Sequence, residues 1–182
     1  AAQQASDLTP PDAAALAAAA AKQQPLLVFI HGTASSTLGS FGDLQSGARD
    51  IWAVIERRFP AGVFAFEHRT LSESPIENAL QLARALPAGA RLNLVSHSRG
   101  GLVADLLCLA NFEPLIDAYE SDLPGAGDAD AAEAARVKGE LGTAHAEQRA
   151  QLRELAAELR AKQFVVQRYV RVASPAQGTK LA

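Results

Sequence analysis

From Pro25 onward the chain alternates short, dense apolar runs with stretches of helical periodicity. Leu26 to Ile30 (LLVFI) is a continuous apolar run ending in His31-Gly32, the pattern of a strand buried on both faces of a parallel sheet. Residues 48–58 place Ile51, Val54 and Ile55 on one helical face, and Pro60 and Gly62 stop that helix. Val63 to Phe66 reads as a second strand. Ser74-Pro75-Ile76-Glu77 combines an N-cap serine, a proline at the first helical position and a glutamate at the third, which predicts a capping box and a helix to about Leu86. Leu92 to Val95 is a third strand, and Gly100 to Ala110 (GGLVADLLCLA), apolar almost all round, predicts a buried helix. Phe164 to Ala173 is strand-like again. Strands separated by helices of this length imply βαβ units, and so a doubly wound, mostly parallel α/β sheet.

Two stretches depart from this rhythm. Residues 1–24 are a polar, proline-containing lead followed by an alanine-rich helix; Asp7 and Asp12 and the lack of a basic start argue against a signal peptide. They read as a packing or linking helix. Residues 111–163 carry loop markers at Pro114, Pro124, Gly125 and Gly127, then Leu152, Leu155 and Leu159 at helical spacing. That stretch reads as an inserted, exposed amphipathic helix, with three roles open to it: a solvated insertion, a mobile lid, or a helix that docks a protein partner.

Composition narrows the picture. The 182 residues are 48% hydrophobic and 20% charged, with a net charge of −3 and a pI near 5.8, which suits one globular domain. A nucleic-acid binder would carry a basic patch, and none is present. Alanine supplies 39 residues, so the large core side chains must come from the few dense runs. The single cysteine, Cys108, cannot form an internal disulfide, and its place in an apolar helix predicts a core residue rather than a nucleophile. No run approaches the roughly 20 apolar residues of a membrane span, and the expected location is cytoplasmic. The chain starts at Ala1 and has no methionine, which predicts a processed or partial translation product.

The candidate chemistry lies in Leu92-Asn93-Leu94-Val95-Ser96-His97-Ser98-Arg99-Gly100-Gly101-Leu102, where a strand runs into S-H-S-R-G-G and straight out into a helix. This is the context of a nucleophile elbow, usually G-x-S-x-G. The turn strains the central serine and needs small neighbours two positions away, here Ser96 and Gly100; Gly101 adds room for helix packing. Ser98 would stand at the carboxyl edge of the sheet, with His97 on the opposite face of the strand. Acyl transfer also needs two preorganised N–H donors for the oxyanion, each worth about 3 kcal/mol. One is predicted at Arg99, at the positive end of its helix. The other is predicted at Thr33 in Phe29-Ile30-His31-Gly32-Thr33, where Gly32 lets the backbone approach. Ser35, Ser36 and Thr37 are expected to line the same mouth, and His31 is expected to bond loop backbone.

At these residues the chain resembles the α/β-hydrolase superfamily, and within it the lipase and esterase branch, over about residues 25–110 and 164–181. The resemblance implies a serine nucleophile at Ser98, the two donors above, a segment such as Ser174 to Gly178 after the strand that follows the lid, no metal and no organic cofactor. It implies a small-molecule or lipid ester as substrate and an acyl-enzyme at Ser98. A triad also needs an acid and a histidine after the nucleophile, yet His31, His68 and His97 precede Ser98, and His145 lies in the insertion. Asp105, inside the helix after the elbow, does not match the acid. The expectation is therefore either a partial segment of a longer hydrolase or a non-catalytic interaction module that uses the inserted helices. The cluster Asp117, Glu120, Asp122, Asp128 and Asp130 lacks calcium-loop spacing and reads as a solvated linker.

Overall fold

A computed structural model describes residues 9–121 and 131–174. The lead forms α1 (Ala13–Ala21), capped by the Asp12 carboxylate on Ala14 N–H at 2.9 Å. It is followed by β1 (Pro25–Ile30), α2 (Thr37–Ser46), α3 (Arg49–Arg58), β2 (Val63–Phe66), α4 (Pro75–Ala85), β3 (Arg91–His97), α5 (Gly100–Leu107), α6 (Glu113–Ser121), α7 (Ala131–Lys162) and β4 (Val165–Val172). The four strands form one parallel sheet in the order β2-β1-β3-β4. Helices lie on both of its faces, so the molecule is an α/β protein.

The order reverses direction between β1 and β3. Leaving β1 the chain moves outward to β2, and leaving β2 it crosses back over β1 to reach β3, so the connections leave on opposite faces. The packing agrees. Leu26, Val28 and Ile30 of β1 join one core with Leu80, Ala83, Val103 and Leu155 of α4, α5 and α7. Phe29, which points the other way, meets Phe41 of α2 with ring centroids 4.7 Å apart. The capping box at Ser74 forms as the sequence predicts: its hydroxyl accepts from Glu77 N–H at 3.1 Å, and Glu77 accepts from Ser74 N–H at 2.6 Å.

Several expectations need correction. The apolar pair Ile51 and Val54 faces solvent at 58% and 54% exposure, because α3 packs mainly on α2 and half-buries Trp52 and Ile55 instead. The helix after the elbow ends at Leu107 rather than Ala110; Cys108 is its C-cap and is exposed, not part of the core. The helix of the 150s is not a solvated insertion. Leu152 and Leu155 are fully buried, where α7 packs along α4, and Lys162 N–H₃⁺ donates to the Leu86 carbonyl at 2.6 Å. That half of α7 is the crossover helix leading into β4 and cannot swing as a lid. A helix at 37–46 was not anticipated: Gly39, Ser40 and Gly42 hide it, and only the Ser36 cap on Gly39 N–H signals its start. Of the acidic cluster, Asp122, Asp128 and Asp130 lie outside the described residues, as do Pro175 to Gly178.

Among the described residues no helix is long and apolar enough to cross a membrane.

Candidate functional site

The loops after β1 and β3 meet at the point where the strand order reverses, the place where open α/β sheets bind ligands. Ser98 sits between β3 and α5 with φ +51°. A non-glycine residue pays for this left-handed conformation in steric strain, and it persists because the surroundings leave it no alternative. Its N–H donates to the Val172 carbonyl of β4 at 3.0 Å, and its carbonyl accepts from Gly101 N–H at 3.0 Å. On the other side Gly32 lies so close that an added Cβ would stand 2.7 Å from Ser98 Cβ and 3.3 Å from its Oγ.

The glycines after Ser98 are explained by the same crowding. A Cβ at Gly100 would collide with the carbonyl oxygens of Ile30 and His31, and one at Gly101 would come 2.6 Å from Ser174 Cβ. Ser96, which stands where the usual pattern has glycine, is fully buried. Its Oγ lies 3.1 Å from Tyr169 Oη and 3.5 Å from Ser174 Oγ, while Tyr169 O–H donates to the Gly101 carbonyl at 3.0 Å. Tyr169 thus bridges the residues before and after the turn. Burial pushes its phenol up to about 12, against the pull of the Ser96 hydrogen bond, so it stays a protonated donor.

Arg99 is anchored by its side chain. Its guanidinium donates to Asn78 Oδ1 at 3.0 Å and to the Glu73 carbonyl, and buried Asn78 donates in turn to Glu73 Oε2 at 2.7 Å. Burial lowers the Arg99 pKa while Glu73 raises it. This clamp ties the loop before α4 to the elbow. Among the described residues the backbone N–H groups of Arg99 and Thr33 have no internal acceptor, whereas Ala34 N–H is taken by Thr70 Oγ1 at 3.0 Å and Thr37 N–H by Glu67 Oε1 at 2.6 Å. Thr33 and Ser35 are exposed and Ser36 is half-buried, but Thr37 is buried and faces the α2 side rather than the mouth.

Each histidine has a definite place. His31 is buried; its Nδ1 is 3.0 Å from the Gly32 carbonyl and its Nε2 takes His68 N–H at 3.3 Å. The Nδ1–H tautomer satisfies both bonds, and Glu67 Oε2 lies 3.4 Å from the same Nε2. His68 stacks between His31 and Phe66, with centroids 4.2 and 5.0 Å away. Burial pushes its pKa down to about 4, helped by His31 and Arg99. His97 turns to the α2 face, with Nδ1 3.4 Å from Ser40 Oγ and its ring edge-on to Phe41. His145 packs against Tyr119, 5.3 Å between centroids. Among the described residues no imidazole or carboxylate is bonded to Ser98 Oγ. Asp105 pairs with Arg171 at 3.2 Å.

Tyr169 and the pair Glu73 and Asn78 were not anticipated from sequence. Nothing in VVQRYVRV marks its tyrosine, because the contact depends on a register shift between β3 and β4 at Leu92 and Asn93.

A family profile described as a domain of unknown function, DUF7379, matches residues 1–116, and the chain belongs to that family. The match takes in β1 to β3 and both loops of the site. No curated protein matches the chain, and no solved structure matches it.

Proposed function

We propose that the protein is a serine hydrolase of carboxylic esters, built on an α/β-hydrolase core. The observation that carries this reading is Ser98, held at φ +51° on the strand-to-helix turn, with the N–H groups of Thr33 and Arg99, which have no acceptor among the described residues, on the two loops beside it. In the proposed reaction Ser98 Oγ attacks the acyl carbonyl, the two N–H groups hold the oxyanion, and the bond to the alcohol breaks. The proton that Ser98 releases leaves with the alcohol, and water then cleaves the acyl-enzyme. The general base of this scheme is not among the histidines placed above.

A groove of about 290 Å³ runs between α4, α5 and α6, lined by Ile76, Leu102, Leu106, Leu109 and Tyr119. Leu102 lies one helical turn beyond Ser98, so the groove suits an apolar acyl chain. Its far wall includes Gln148 of α7. With 32 residues, α7 is about 48 Å long, roughly twice the strand it runs beside. Because its last turn sits at the start of β4, its first half projects past the carboxyl edge and could roof this groove.

That no base is bonded to Ser98 among the described residues favours a second reading, a non-catalytic module of the same fold that engages a partner through α6 and α7. One experiment separates them. Wild-type protein treated with a fluorophosphonate probe is expected to be labelled at Ser98, and Ser98→Ala to remain unlabelled. A folded wild-type sample that takes no label overturns the hydrolase reading and leaves the module.

A further inference from the structure

Of the six buried residues of α4, five are apolar and the sixth is Asn78, which has no exposed surface. A buried amide lowers stability unless its polar atoms are bonded, and a helix that did no more than pack on its neighbours would carry an apolar side chain there. Both ends of the Asn78 amide are engaged. Its Oδ1 accepts from the Arg99 guanidinium at 3.0 Å, and its Nδ2 donates to Glu73 Oε2 at 2.7 Å. Gln81 Nε2 holds the same carboxylate oxygen at 2.9 Å, and the guanidinium also donates to the Glu73 carbonyl.

The far end of this network is rigid. Ser74, Pro75 and Glu77 fix the first turn of α4 through the capping box, and the buried face of that helix packs on α5 and α7. The near end is strained. Relief of the left-handed conformation at Ser98 requires rotation about its backbone bonds, and that rotation carries the Arg99 Cα with it. The bond from Gly101 N–H to the Ser98 carbonyl lies within the turn and travels with it, whereas the Arg99 side chain is fastened to a different helix. Arg99 is the N-cap of α5 yet makes no side-chain bond to its own helix. The turn is thus tied to β4 through Ser98 N–H on one side and to α4 through Arg99 on the other.

We propose that Asn78 is a positioning residue for Ser98: with Glu73 it grips the Arg99 side chain, and so holds the turn in the shape that presents the Ser98 hydroxyl and the Arg99 N–H together. Its effect on reaction rate rests on the hydrolase reading, and its effect on the shape of the turn does not.

Asn78→Leu keeps the volume and removes both bonds, whereas Asn78→Asp keeps the acceptor for Arg99. Displacing a reacting group by about 1 Å costs on the order of 100-fold in rate. Fluorophosphonate labelling of Ser98 in the whole chain is therefore expected to slow at least about tenfold in Asn78→Leu and to stay within about threefold of wild type in Asn78→Asp. Arg99→Lys keeps the charge but gives up the two-pronged donor, and is expected to slow labelling as Asn78→Leu does. Hydrogen exchange reads the turn without any chemistry at Ser98. The denaturant-independent exchange of the Gly101 and Leu102 amides, which reports local opening, is expected to rise at least about tenfold in Asn78→Leu, with that of the β1 amides unchanged. Labelling at the wild-type rate in Asn78→Leu or Arg99→Lys, an equal loss in Asn78→Leu and Asn78→Asp, or unchanged local exchange at Gly101 and Leu102 overturns the proposal. Wild-type protein that takes no label overturns the hydrolase reading instead, and the exchange result then decides the role of Asn78 by itself.

Discussion

Gly32 and Ser98, on loops from different strands, are in contact so close that even a methyl group on the glycine would overlap the serine, at 2.7 Å from its Cβ. Each loop therefore fixes the other. The Ser98 backbone cannot relax without moving the turn that presents Thr33, and the β1 loop cannot shift without displacing the nucleophile candidate.

Gly32→Ala is expected to cost about 1–3 kcal/mol through overpacking and to lower the rate of fluorophosphonate labelling at least tenfold. Gly89, which has φ +71° but no atom within 4 Å of an added Cβ, is the control. Gly89→Ala should cost about 1 kcal/mol from backbone strain alone and leave labelling intact. Urea melts and labelling time courses on the two variants check both statements.

Tyr169→Phe removes the hydroxyl that joins Ser96 to the Gly101 carbonyl. The expected loss is about 1–2 kcal/mol, because two partly buried groups lose a partner. Replacing Ser96 by Gly in the same background should cost less than the two single changes added together, since the hydroxyls share one bond. A double-mutant cycle by chemical denaturation gives the coupling.

His68 supplies a pH dependence. Its imidazole ionises near 6.5 when unfolded but only at about 4 in the folded chain, so between these values the unfolded state binds more protons. Its contribution to stability is therefore complete above about pH 6.5 and is lost as pH falls toward 4. The ring is partly solvated, so the effect is discounted to about 1–2 kcal/mol. Replacing His68 by Phe should flatten the Tm profile across that window, whereas a profile unchanged from wild type would contradict the assignment.

Leu155 tests the role of α7. Buried to 0% exposure against the helical layer, it should cost about 2–5 kcal/mol when changed to Ala. A helix that opened and closed over the site would tolerate that change with little loss of stability, so thermal denaturation of Leu155→Ala distinguishes the two.

Much of this architecture is legible in the sequence because the signals are local. The run LLVFI, the Ser74 to Glu77 cap and the strand entering S-H-S-R-G-G each declare their element within a few residues. What stays hidden depends on distant partners. The apolar stripe of Ile51 and Val54 has the period of a buried face, yet nothing in it says that α3 sits at the periphery, packed mainly on α2. Leu152 and Leu155 look like one side of a free amphipathic helix until α4 is placed beside them. Ser96 looks like a mild departure from glycine, and only the pairing of β3 with β4 brings Tyr169 to its hydroxyl.

The strand order has a consequence for how the molecule comes into being. The two halves of the site belong to β1 and β3, strands paired through Ile30 and Ser96 that are neighbours in space but not in succession. Their contact encloses β2 and α4, so the chain must order that whole loop before Gly32 meets Ser98, and closure of this kind is slow relative to local structure. During refolding, secondary structure should return before the elbow is set, and reactivity at Ser98 should be among the last native properties to appear.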